Sequence, residues 1–80
     1  MDTSTNNEYE THDIYLAAYL MVSGCDLVRR RRQGARVYFV FQNKAGPIEE
    51  LREAYYSGRA KVVAIRFAQE IISMKQLTAH

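Results

Sequence analysis

The apolar positions of this chain come in blocks, each bounded by polar or turn-forming residues. The first, "DIYLAAYLMVSG", predicts a helix over residues 14–22. Thr11 or Asp13 can cap it, because a side-chain oxygen there accepts from free backbone N–H groups, and Gly24 is a natural stop. Ile14, Ala17, Ala18 and Met21 share one face, while Tyr15, Leu16, Tyr19 and Leu20 cover much of the rest. A helix that is apolar nearly all round is either deeply buried or packed on two partners. In so short a chain, the second option gains weight.

The next block, "VRRRRQGARVYFVFQ", reads as two strands, Val28 to Arg32 and Arg36 to Gln42, around Gln33-Gly34. A two-residue loop pairs Arg31 with Arg36, Arg29 with Tyr38 and Leu27 with Val40 on one side. It pairs Val28 with Phe39, Arg30 with Val37 and Asp26 with Phe41 on the other. The stripe Val37, Phe39, Phe41 is the more apolar, so that side is expected to meet the helices and leave Arg29, Arg31, Arg36 and Tyr38 to water. Pro47, followed by Glu49 and Glu50, opens a second helix, with Ile48, Leu51, Ala54 and Tyr55 inward and Gly58 as its stop. From about Val63, the spacing of Val63, Phe67, Ile71 and Met74 marks the core stripe of a last helix. "MDTSTNNEYE" is too polar to offset its ordering entropy, so residues 1–10 are expected to be a disordered tail.

The expected fold is therefore α+β. It is a small α-β-β-α-α domain over residues 11–78, with a two-stranded antiparallel hairpin packed on three helices. Ile14, Ala18, Met21, Val28, Phe39, Phe41, Leu51, Tyr55, Phe67 and Ile71 are its expected core.

Composition narrows the choices. Eighty residues make one domain with a thin core, and a hydrophobic fraction of 48% is that of a folded chain. The lone Cys25 excludes an internal disulfide and fits a reducing cytoplasm. One Cys and two distant His, His12 and His80, make a poor metal set, so neither metal nor other cofactor is expected. The apolar run from Ile14 to Val22 is about half of the roughly 20 residues a membrane span needs, and the first ten residues lack the basic start and apolar core of a signal peptide. The net charge of +2 hides an asymmetry: all 11 basic residues and all but three of the nine acids follow position 10. The arginines at 29, 30, 31, 32 and 36 make a local basic cluster.

"DIYLAAYLMVSG", "VYFVF" and "AYYSGRAKVVAIRFAQEIISMKQL" resemble a family of small bacterial and phage-borne domains known only as a domain of unknown function. The shared features are the LAAYL helix, the YFVF strand, the YYSG stop and a last helix with Phe and Lys. The resemblance spans roughly residues 12–77. It implies a bacterial or phage source and supplies no catalytic residue.

Candidates for catalysis are thin. Asp26 beside Cys25 disfavours the thiolate. His12 at a helix start suits a surface or capping role. Glu49, Glu50 and Glu53 read as a solvated helix face. The glycines at 24, 34, 46 and 58 mark element boundaries rather than a phosphate loop. The chain is expected not to be an enzyme, and no small-molecule substrate is evident. What remains is the hairpin: Arg29, Arg30, Arg31, Arg32 and Arg36 suit phosphates, and Tyr38 offers a ring for stacking. The first expectation is a non-enzymatic accessory domain that binds DNA or RNA without sequence choice. In the bland alternative the arginines are solvated or paired with the acids of 49–53. The rival function is a protein-interaction or homodimerisation module with Tyr15, Leu16 and Tyr19 at the contact.

Overall fold

The computed structural model describes residues 8–43 and 47–78. The element order is β1 (Glu8–Thr11), α1 (Ile14–Val22), β2 (Leu27–Gln33), β3 (Arg36–Gln42), α2 (Pro47–Ser57) and α3 (Ala64–Leu77). The α+β class and all three helices are as the apolar pattern predicts. The sheet differs, because it has three antiparallel strands in the order β1-β3-β2. The added strand, all but Thr11, falls in the expected tail; residues 1–7 are outside the described residues. Its signal was the short alternation Glu8-Tyr9-Glu10-Thr11. Tyr9 pairs with Phe41 and Thr11 with Phe39 on the core side, while Glu10 pairs with Val40 on the other. A single large apolar side chain, Tyr9, carries the inward stripe, too little for a scan that weighs hydrophobicity alone.

The hairpin turn is one residue later than the sequence suggests. Gln33 pairs with Arg36, so Gly34 and Ala35 form the turn. Gly34 has φ +62°, and among the described residues no non-glycine residue has positive φ. Positive φ at the first central position alone is the mark of a type II′ turn. The pairing accordingly becomes Arg31 with Tyr38 and Arg29 with Val40, a shift of two residues. An even shift preserves the faces, so Arg29, Arg31, Arg36 and Tyr38 do share the side away from the helices. A bulge between Leu27 and Arg29 corrects a second expectation. The extra residue, Val28, is 42% exposed rather than in the core, and Leu27 turns inward opposite Phe41.

Leu16, Ala17, Ala18, Tyr19 and Leu20 of α1 are buried with Val37, Phe39 and Phe41 of β3, Ile48 of α2 and Met74 of α3. Helix α1 is thus the centre of the domain, with its apolar girth spent on the sheet and the two other helices. Expected core residues Ile14, Met21, Leu51, Tyr55, Phe67 and Ile71 line the margin, partly buried. Asp13 caps α1, its Oδ1 accepting from Tyr15 N at 2.9 Å and Leu16 N at 3.2 Å. At the other end the Cys25 N–H donates to Leu20 O at 3.0 Å and the Gly24 N–H to Met21 O at 3.1 Å. This is a Schellman stop, which Gly24 permits with φ +94°.

Candidate functional site

The five hairpin arginines have different surroundings. On the face away from the helices, Arg29 forms a two-pronged pair with Glu8, at 3.0 and 3.1 Å. Arg31 Nε donates to Glu10 Oε2 at 2.7 Å, and its other arm donates to Gln33 Oε1 at 2.8 Å. Both ion pairs run diagonally across the central strand β3. Beneath them lies Val40, almost fully buried although it faces away from the core; Glu8, Glu10 and Arg29 line a shallow cleft with it. The bond from Arg31 holds the Glu10 carboxyl below its ordinary pKa and raises that of Arg31. The acids that meet this cluster come from β1, not from residues 49–53. Glu49, Glu50 and Glu53 lie on the exposed face of α2.

Arg30 and Arg32 point to the opposite side, where α3 ends. An Arg30 N–H donates to Leu77 O, and Arg32 lies 3.5 Å from Thr78 O. Two guanidinium groups thus meet the negative end of the α3 dipole, where backbone carbonyls lack partners within the helix. Arg36 is exposed beside the turn. Tyr38 sits between Arg31, whose guanidinium carbon is 4.5 Å from the ring centre, and His12, in an edge-on contact at 5.4 Å. The cluster was legible in the sequence, but its partners were not.

The proposed contact residues on α1 are divided by the fold. Leu16 and Tyr19 lie in the core of a single chain, which corrects their assignment to an outer contact. Tyr15, 48% exposed, stays on the surface. It stands near a ring cluster in which Tyr19 stacks on Tyr55 at 5.5 Å and Tyr55 meets Tyr56 edge-on at 5.1 Å. The Tyr56 hydroxyl donates to Asp13 Oδ2 at 2.6 Å. That bond pushes the Tyr56 pKa up to about 12. Cys25 is half-buried, and burial followed by the charge of Asp26 raises its thiol pKa. His80 lies outside the described residues. Among the described residues, no group of three or more His, Cys, Asp or Glu is placed to hold a metal ion, and no helix is long and apolar enough to cross a membrane.

One surface went unnoticed in the sequence. Helix α3 turns Phe67, Ile71 and Met74 toward α1. On its outer side Ile65 is 66% and Ile72 is 57% exposed, two turns apart on one face. Ala68, Gln69, Ser73 and Gln76 are exposed with them. None of these six residues is charged, and the exposed Arg66 and Lys75 border the strip on either side. Val62 and Val63, also exposed, extend the patch at the start of the helix. The signal was an isoleucine pair at i, i+7 opposite the core stripe.

A small α+β domain built on one central helix, with an ion-paired sheet face and an apolar helix face, is the class that the structure defines. The profile of the domain of unknown function DUF5659 matches residues 6–79, and the chain belongs to that family. No curated protein and no solved structure matches the chain.

Proposed function

We propose that this chain is a non-catalytic protein-association module whose contact surface is the outer face of α3. The observation that supports this is the exposure of Ile65 and Ile72 on a strip of α3 that the exposed Arg66 and Lys75 border but do not interrupt. Exposed helix faces ordinarily hold the charge of a domain, and apolar stripes left open mark contact sites. Substituting both isoleucines by lysine tests the reading. The Ile65→Lys/Ile72→Lys chain is expected to keep its circular dichroism. Its melt at low concentration should move by less than about 4 °C, since surface changes stay within about 0.5 kcal/mol. It is also expected to lose retention on a phenyl column. Unfolding of this variant would place the two residues in the fold's own core and end the reading.

A second reading, weak contact of the hairpin with DNA or RNA, draws on the position of Tyr38 between Arg31 and His12 with Arg36 nearby. It ranks below the first because Arg29 and Arg31 are already matched by carboxylates. A cytoplasmic setting in a bacterium or phage-infected cell fits the lone Cys25 and the family resemblance.

A further inference from the structure

We infer that the partner of the α3 face is an acidic amphipathic helix of another protein, lying along α3 with its carboxylates against Arg66 and Lys75. The inference rests on the association reading above and adds the partner's chemistry to it.

Charge is the first argument. Every exposed charge between residues 59 and 78 is positive: Arg59, Lys61, Arg66 and Lys75. The sole acid of that stretch, Glu70, is half-buried. Among the described residues none of these four cations forms an ion pair. The sheet face differs, since Glu8 and Glu10 already answer Arg29 and Arg31. Unmatched positive charge therefore surrounds the isoleucines. Arg66 and Lys75 flank the strip, Arg59 and Lys61 precede it, and Arg30 and Arg32 lie at its C-terminal end. Such a frame repels a basic surface and draws an acidic one.

Shape is the second argument. Ile65, Ala68, Ile72 and Gln76 follow one another at steps of three or four residues, the kind of row on which one helix packs along another. The row spans roughly 16 Å at about 1.5 Å per residue. The small Ala68 between the isoleucines leaves room for a partner side chain. Gln69, Ser73 and Gln76 lie in the same strip and need hydrogen-bond partners once water leaves. A protein helix supplies them from its own polar side chains. The acyl region of an anionic membrane does not, and two isoleucines without an aromatic residue make a shallow anchor there.

Two labelled, helix-stapled peptides of about 15 residues test this on the full chain. Both carry leucines at helical seam spacing; glutamates flank the stripe in one and lysines in the other. Fluorescence anisotropy is expected to show binding of the glutamate peptide alone, weakening as salt rises from about 50 to about 500 mM. Ile65→Gln/Ile72→Gln, which leaves the charge unchanged, should weaken binding about tenfold or more. Arg66→Glu/Lys75→Glu should weaken the glutamate peptide by roughly two- to thirtyfold, the range that two exposed ion pairs supply, and admit the lysine peptide. Equal binding of the two peptides, or binding of neither, would overturn the inference. So would glutamate-peptide binding that survives the glutamine substitutions. Tighter attachment to phosphatidylserine vesicles, lost in the same variants, would assign the face to a membrane and overturn it as well. When the peptides fail, an Ile65→Lys/Ile72→Lys chain that stays folded and loses phenyl retention keeps the association reading. Unfolding of that lysine variant would instead remove the association reading itself.

Discussion

Glu10 reaches diagonally across β3 to Arg31, its Oε2 2.7 Å from Arg31 Nε, although their strands never touch each other. The pair links the two edges of the sheet over its central strand. With Arg29 and Glu8 it helps to cover Val40, which would otherwise lie bare on the outer face.

This relationship predicts an acid-sensitive increment of stability. The Glu10 carboxyl is held below its ordinary pKa of 4.5, chiefly by the bond from Arg31. A group whose folded pKa is depressed stabilises the fold above its unfolded pKa and loses that effect as pH falls through the folded value. Glu10→Gln should therefore lower the melting temperature slightly above pH 4.5. The gap to wild type should narrow as the pH falls below that value. Melts at pH 7, 5, 4 and 3 check it, and a gap that widens with acid would contradict the pairing.

The Tyr56–Asp13 bond predicts the opposite sign. Tyr56 is raised from 10.0 to about 12, so its contribution is complete below pH 10 and is lost as pH rises through about 12. Ultraviolet titration should show Tyr56 ionising last of the six tyrosines, after Tyr9 and Tyr55, which burial also raises, and Tyr56→Phe should remove that last phase. Asp13→Ala should be the more harmful change, by about 1 kcal/mol, since it also removes the cap of α1.

Phe39 and Val28 test the bulged register together. Phe39 is fully buried, and Phe39→Ala should cost about 3–5 kcal/mol. Val28→Ala should stay within about 0.5 kcal/mol, as for other exposed positions. Urea titrations of both variants decide it, and a large loss at Val28 would place that residue back in the core.

The nucleic-acid reading meets its test at the same glutamates. If Arg29 and Arg31 touch phosphate, the Glu8→Gln/Glu10→Gln chain should bind a labelled oligonucleotide more tightly at 50 mM salt. Its log–log salt slope should steepen by up to about 1.4 on single strands or 1.8 on duplex, at about 0.7 and 0.9 per contact. Fluorescence anisotropy showing no binding by either chain would leave the hairpin arginines as structural groups alone.

What the sequence determined by itself was local. The apolar periods place α1, α2 and α3, because helices report their buried stripes at fixed spacing. The parity of the hairpin also survives, and with it the outward side of Arg29, Arg31, Arg36 and Tyr38, because an even register error returns each side chain to its own face. Tertiary structure alone decided what those groups meet. Glu8 and Glu10 sit 21 residues before Arg29 and Arg31, and α3 ends 47 residues after Arg30. No spacing rule links such distant positions. Leu16 and Tyr19 look like surface on a helix that is apolar all round, until the sheet and two helices close over them. Ile65 and Ile72 stay outside for the complementary reason: α1 has room to bury one face of α3, and the core stripe already fills it.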